Sequence, residues 1–164
     1  MIDLMLFQSA DIATAWDHRP NRVPRELQAL VHATHLVLAH ATSTTLLGAI
    51  RREGLQPNAG RRMPTDEMVA SDESSVYLMA VWDSFYAERA VRFHGGEAAI
   101  LIVRVPIDRL EADEAMISPA NRGTGTLVAN LHVSLCGGAC KHRGRVAPDC
   151  ILGTFDRSGM RIAD

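Results

Sequence analysis

The sequence predicts a single α+β domain over residues 1–164, with a split, mixed or antiparallel sheet and flanking helices. Two patterns predict this fold class. Short apolar runs recur that are too short for helices and typical of buried strands. Between them lie segments with helical periodicity that end at glycine. The length suits one core, because a chain of about 150 residues buries roughly 70% of its unfolded surface. We assign residues 1–35 to a lead-in and residues 36–157 to the core.

The composition restricts the classes of partner. The net charge is −2 and the predicted pI is about 6.4, so bulk charge does not indicate binding to nucleic acid or membrane. No apolar run reaches the ~20 residues that span a bilayer. The first residues lack a basic leader, and three cysteines are a small, odd number. We therefore expect no signal peptide, reduced thiols and a cytoplasmic location.

The clearest local pattern is a strand, a turn and a helix. The apolar run Leu36–Ala39 predicts a buried strand that ends at His40. Ser43 is a good N-cap for the helix that follows, on which Leu46, Leu47 and Ile50 share one face. Gly54 suits the left-handed residue that ends this helix, with Leu55 folding back.

The rest of the chain alternates in the same way, and the domain is expected to have two principal helices. In the lead-in we expect a strand at Met1–Leu6 and a helix over Glu26–His32. After Pro57 we expect a loop over Asn58–Ser74, a strand at Ser75–Ala80, a helix from Asp83 or Ser84 to Gly95 and a strand at Ala98–Val105. These are followed by an acidic segment Ile107–Met116 anchored by Leu110, a strand at Leu127–Leu135 and a closing strand at Arg145–Phe155.

Three of these segments, in order, resemble those of the ADP-ribosyltransferase superfamily. His40–Ser43, followed by Leu47–Pro57, is similar to its opening strand and helix. Val76–Leu78, followed by a helix and the strand Ile100–Val105, is similar to its second unit. Gly144–Ile151 contains a Val-x-Pro-x-x-Ile pattern similar to its closing strand. The superfamily includes poly(ADP-ribose) polymerases, DNA-modifying bacterial toxins of the DarT type and RNA 2′-phosphotransferases.

The resemblance implies that the chain binds NAD as a co-substrate. In this family the first-strand histidine donates a hydrogen bond to a ribose hydroxyl, and the backbone of the next residue holds the nicotinamide amide. An aromatic residue of the second strand stacks on the nicotinamide ring. Ser43 would bond the ligand or only cap the helix. The implied cofactor-binding residues are His40, Ala41, Thr42, Ser43, Tyr77 and Leu78.

The late strand departs from the pattern of many transferases in this family. They carry a glutamate there that stabilises the developing oxocarbenium ion. The segment Cys136–Arg145 contains no acid. RNA 2′-phosphotransferases lack that glutamate and use basic residues instead, and Arg143 and Arg145 fit that pattern loosely. The predicted catalytic residues are His40 and Tyr77, with Arg143 or His142 handling charge.

The sequence allows two interpretations of several of these residues. His40 binds ribose or bonds a neighbouring loop, and Tyr77 stacks on a ligand or packs in the core. The alternating Lys141, Arg143 and Arg145 contact phosphate or nucleic acid, or form a solvated strand face.

The sequence also allows more than one role for the cysteines. Cys136, Cys140, His142 and Cys150 are zinc-ligand types, but their spacing favours structural cysteines, so no metal site is predicted. A cysteine nucleophile paired with His142 or His132 stays open.

The predicted function is an enzyme that transfers ADP-ribose from NAD to a macromolecule, either protein or nucleic acid. Two alternatives remain: RNA 2′-phosphotransferase activity, and a non-catalytic module that binds NAD or ADP-ribose. A toxin, a phage-encoded factor or a repair enzyme is compatible with the sequence, which leaves the acceptor and the oligomeric state open.

Overall fold

The computed structural model describes residues 2–3, 33–57, 72–80, 84–117 and 127–162. In these ranges the chain forms a sheet with helices on both faces, so the α+β class is confirmed. The helices are α1 (Leu47–Glu53), α2 (Ser84–His94) and α3 (Leu127–Cys136). The strands are β1 (Ile2–Asp3), β2 (His35–Ser43), β3 (Ser75–Met79), β4 (Ala98–Pro106), β5 (Leu110–Ala112), β6 (Ala139–Arg143) and β7 (Ile151–Phe155).

The sheet consists of two halves that barely pair with each other. Its strand order is β5-β6-β3-β2-β4-β7, with β1 parallel beside β2 and all other strand pairs antiparallel. β2 pairs with β4 along its whole length, and β3 pairs with β6 along its whole length. β2 and β3, by contrast, pair only at Ala39 and Met79.

The two faces of the sheet are buried by different helices. α1 and α3 cover one face, which holds the larger core cluster. α2 covers the other face, where Tyr86 packs against Ala39, Met79 and Ile100. Because side chains alternate along a strand, the parity of a β2 residue decides which face it contributes to. Core residues of the first face are Leu36, Leu38, Val76, Leu78, Leu101, Val103, Leu47, Ile50, Leu131 and Leu135.

The strand–turn–helix pattern after Leu36 is confirmed, although β2 continues past the predicted end at His40 to Ser43. The Ser43 side chain accepts a hydrogen bond from the Thr45 N–H and caps the short 3-10 turn that leads into α1. Gly54 ends α1 with the predicted positive φ of 75°, although its ψ of −176° is extended. Leu55 then pairs with Val146 through two backbone hydrogen bonds of 2.9 and 3.0 Å. This pairing anchors the closing segment to α1.

The prediction of a strand at Leu127–Leu135 is wrong, because the segment is helix α3. Its buried residues Leu131, His132, Ser134 and Leu135 include pairs at spacings of three and four, which is helical periodicity. The density of apolar residues concealed this period in the sequence. The described part of the chain therefore has three α-helices, not two.

The closing strand is shorter than predicted. It begins at Ile151, because Pro148 opens a 3-10 turn that interrupts extended structure. β4 and the anchor Leu110 agree with the predictions. The predicted helix Glu26–His32 and most of the predicted loop before β3 lie outside the described residues. No helix in the described ranges is long and apolar enough to cross a membrane.

Candidate functional site

The two strands that hold the predicted NAD-binding residues diverge after one pair. Beyond Ala39 and Met79, the described residues of β2 and β3 are not paired. β2 continues nevertheless, paired on its other side with β4. We call the gap between His40–Ser43 and Ser75–Leu78 the β2–β3 opening. Its two sides contain all the predicted cofactor-binding residues, namely His40, Ala41, Thr42, Ser43, Tyr77 and Leu78.

His40 bridges the β2–β3 opening. Its Nδ1 atom lies 2.9 Å from the backbone carbonyl oxygen of Tyr77. A carbonyl oxygen only accepts hydrogen bonds, so Nδ1 carries the proton and donates the hydrogen bond. Burial lowers the pKa of His40, and the bond to the Tyr77 carbonyl offsets this only in part, so the ring is held neutral. The Nε2 atom of this tautomer is an acceptor, whereas the family resemblance implied a donor.

Ala41 directs its backbone polar groups toward the opening. The Thr44 N–H donates to the Glu97 carbonyl at 2.8 Å. The backbone N–H and C=O groups of the even-numbered residues of β2 therefore point toward β4. In an antiparallel ladder the intervening residues face the other way. The N–H and C=O groups of Ala41 therefore point toward β3. This gives one donor and one acceptor at a fixed separation, as a carboxamide requires.

The Ser43 hydroxyl is used by the fold itself. It is fully buried, donates to the Gly95 carbonyl and accepts from the Thr45 N–H. The Thr45 hydroxyl donates to the His94 carbonyl at 3.2 Å. Both hydroxyls thus satisfy carbonyls at the C-terminal end of α2. Of the two predicted roles of Ser43, capping is the one observed, and Thr42 is buried beside it.

Tyr77 and His40 project from opposite faces of the sheet. The pairing of Ala39 with Met79 places odd-numbered residues of both strands on one face, so Tyr77 shares its face with Ala41 and His40 shares its face with Leu78. The half-buried Tyr77 hydroxyl accepts the Asp72 N–H at 2.7 Å. His40 therefore meets the backbone of Tyr77 and not its ring.

The predicted charge-handling residues of β6 separate in the same way. His142 is 6% exposed, on the face opposite Lys141 and Arg143, with Nδ1 at 3.2 Å from the Gly144 carbonyl oxygen. Burial lowers the pKa of His142 and favours its neutral form. Arg143 is exposed and pairs with Glu111.

The sequence predicts that Lys141, Arg143 and Arg145 share one strand face, and this prediction is wrong for Arg145. β6 ends at Arg143, and Gly144 turns the chain with a φ of 74°. Alternation of side chains does not continue through such a turn. Only Lys141 and Arg143 share the face with Tyr77.

Lys141 is buried and surrounded by carboxylates. Its side chain is 7% exposed, with Nζ at 3.2 Å from Asp72, 3.7 Å from Glu111 and 2.5 Å from Glu114. This ammonium is neither on a solvated strand face nor directed at an outside phosphate. The sequence placed no acid on β6, yet three acids reach it from neighbouring elements. Glu111 lies opposite Lys141 across β5 and β6, Asp72 reaches it from the turn before β3, and Glu114 reaches it from the 3-10 turn after β5.

None of the three cysteines is on β2 or β3, the strands that flank the opening. Cys140 is fully buried in β6, where burial raises the pKa of its thiol. The Sγ atom of Cys136 lies 3.7 Å from Nε2 of His132, one turn earlier on α3. Within the described ranges, no three side chains of metal-ligating type gather into a metal site.

A separate groove of about 530 Å³ lies between α2, the start of β4 and the turn after β7. An ion pair of 3.0 Å between Arg157 and Glu88 links two of its sides. The groove contains none of the predicted site residues.

No protein-family model matches the chain, and comparison with curated proteins finds no relative of significant similarity.

Proposed function

We propose that the protein binds NAD at the β2–β3 opening and transfers its ADP-ribose group to a macromolecular acceptor. One observation supports this most strongly. Two segments that the resemblance assigns to NAD, His40–Ser43 and Val76–Leu78, lie on the two sides of one opening. The hydrogen bond between His40 and the Tyr77 carbonyl joins these sides.

In the proposed complex each residue makes a contact that its chemistry allows. The N–H and C=O groups of Ala41 bind the nicotinamide carboxamide, which needs one acceptor and one donor. The Tyr77 ring, on the same face as Ala41, stacks on the cationic nicotinamide. The Nε2 atom of His40 accepts a hydrogen bond from a ribose hydroxyl on the opposite face of the sheet.

The proposed reaction breaks the bond between nicotinamide and C1 of the ribose. The electron pair of that bond leaves with nicotinamide, and a nucleophile of the acceptor attacks the resulting oxocarbenium-like carbon. Negative charge stabilises such a carbon. Three carboxylates surround Lys141, on the Tyr77 side of the sheet. Lys141 and Arg143, which pairs with Glu111, balance two of these three charges, and the remaining negative charge supports this electrostatic role.

Binding of NAD to the full chain tests the site. We expect calorimetry to detect NAD binding, with the Kd raised about tenfold in His40→Ala, the equivalent of one hydrogen bond. His35→Ala is the matched control, because His35 lies on the same strand outside the opening. Absence of NAD binding by the parent would refute the proposal.

Transfer is tested with NAD labelled in its adenylate phosphate, incubated separately with protein, RNA and DNA. Label on one of these acceptors identifies the acceptor class. Binding without transfer indicates the non-catalytic module, and loss of phosphate from 2′-phosphorylated RNA indicates the phosphotransferase alternative.

A further inference from the structure

We propose that Lys141 is a positioning residue that fixes the ring of Tyr77 at the β2–β3 opening by holding Asp72 in place. The inference rests on the proposed function, because it assigns a role to a ring that would stack on nicotinamide. It replaces the predicted contact of Lys141 with phosphate or nucleic acid.

The connection from Lys141 to Tyr77 consists of two hydrogen bonds. Nζ of Lys141 donates to the Asp72 carboxylate at 3.2 Å. The backbone N–H of Asp72 donates to the Tyr77 hydroxyl at 2.7 Å. The hydroxyl is the far end of the ring, so fixing it determines the ring's tilt. Lys141 and Tyr77 also lie directly opposite each other on β6 and β3.

Asp72 is well suited to transmit this restraint. Its carboxylate accepts from the Ser74 N–H at 2.9 Å and from the hydroxyls of Ser74 and Ser75. These bonds hold the pKa of Asp72 well below its usual range, so the group stays ionised. Lys141 connects this turn to β6. The turn and the strand therefore keep one relative position.

The surrounding charges make Lys141 essential to that position. Burial alone would lower the pKa of Lys141, but its hydrogen bonds to Glu114 and Asp72 raise it, so the ammonium stays charged. Without that charge, Asp72, Glu111 and Glu114 would repel one another with no cation between them. Such repulsion would displace Asp72, the group that holds the Tyr77 hydroxyl.

Arg143 provides a matched control for Lys141. It lies two residues later on the same strand and face, and it also pairs with Glu111. It is exposed and no contact joins it to Asp72 or Tyr77 among the described residues. Arg143→Met therefore removes a cation near the same carboxylates without breaking the path to the ring.

The experiment observes the Tyr77 ring directly. The chain has two tyrosines, so 3-fluorotyrosine labelling of the full chain gives two ¹⁹F resonances, which Tyr86→Phe assigns. We expect Lys141→Met to shift or broaden the Tyr77 resonance and Arg143→Met to leave it unchanged. We also expect Lys141→Met to raise the Kd for NAD about three- to tenfold, the range that one misplaced aromatic contact represents.

The outcomes separate this inference from the proposed function. If the parent fails to bind NAD, the proposed function falls and the inference falls with it. If the parent binds NAD and a folded Lys141→Met variant keeps the parent's Tyr77 resonance or its affinity, only the inference is overturned. If Lys141→Met fails to fold, Asp72→Asn decides in the same way. It retains the backbone N–H and, through Oδ1, the two bonds from Ser74, whereas an amide nitrogen in place of Oδ2 no longer accepts from Lys141 or Ser75.

Discussion

Nδ1 of His40 lies 2.9 Å from the carbonyl oxygen of Tyr77, although the two side chains project from opposite faces of the sheet. Where β2 and β3 are no longer paired, the imidazole supplies the hydrogen bond that a neighbouring strand would otherwise donate to this carbonyl. This contact fixes the tautomer of His40 and leaves Nε2 as an acceptor. The same bond therefore stabilises the opening and determines what His40 can offer a ligand.

Loss of this contact is expected to destabilise the fold measurably. In His40→Ala the Tyr77 carbonyl loses its donor, which costs about 1–3 kcal/mol when such a group is left unsatisfied. Urea unfolding followed by circular dichroism measures the change. His35→Ala is the control, because the only side-chain hydrogen bond of His35 among the described residues is to the adjacent Thr34. Equal stability of His40→Ala and the parent would contradict the assigned role.

Acidification is expected to destabilise the protein below pH 6.5. Burial lowers the pKa values of His40 and His142 from their ordinary value of 6.5, so the unfolded chain binds more protons there than the folded chain. The unfolding free energy should therefore fall as the pH drops from about 7.5 through 6.5 toward the folded-state pKa values of the two histidines.

The contribution of His40 is obtained by measuring the unfolding free energy of the parent and of His40→Asn in urea at several pH values. It is the difference between the two pH dependences. This difference excludes Asp113, whose pKa is raised by burial and which acts in the opposite direction. A steeper loss of stability in His40→Asn than in the parent would be inconsistent with a neutral, half-buried His40.

Core packing of α3 predicts unequal effects of two leucines on one helix. Leu131 is 4% exposed and lies in the main core cluster, whereas Leu127 is 83% exposed. Leu131→Ala should lower the unfolding free energy by about 2–5 kcal/mol. Leu127→Ala should change it by no more than about 0.5 kcal/mol. Chemical denaturation of both variants gives the comparison, and similar losses would show that α3 is packed differently.

Two glycines with nearly the same φ are expected to differ in their tolerance of a side chain. Gly54 and Gly144 have φ of 75° and 74°, but a Cβ at Gly54 would lie 2.1 Å from the Val146 carbonyl oxygen, and one at Gly144 would meet nothing within 4 Å. Gly144→Ala should cost only backbone strain of about 1–2 kcal/mol. Gly54→Ala should cost more, since it also breaks the pairing of Leu55 with Val146. Thermal unfolding of the two variants tests this order.

The local elements of this chain could be predicted because neighbouring residues determine them. Ser43 caps the turn before α1, Gly54 ends that helix, and Gly95 follows the end of α2, all within a few residues of what they control. The segment Leu127–Leu135 was assigned incorrectly, because its apolar density concealed the helical period.

The sequence alone thus determined the strand–turn–helix unit at His40 and the two segments assigned to NAD. Tertiary structure decided how they are used. Strand register placed the side chains of His40 and Tyr77 on opposite faces, because a shift of one residue reverses every side chain of a strand. Pairing of β5 with β6 brought Glu111 to Lys141, from 30 positions earlier in the chain. A lysine that the sequence presents as a free cation is therefore buried among carboxylates, because burial of a charge requires partners that only folding can supply.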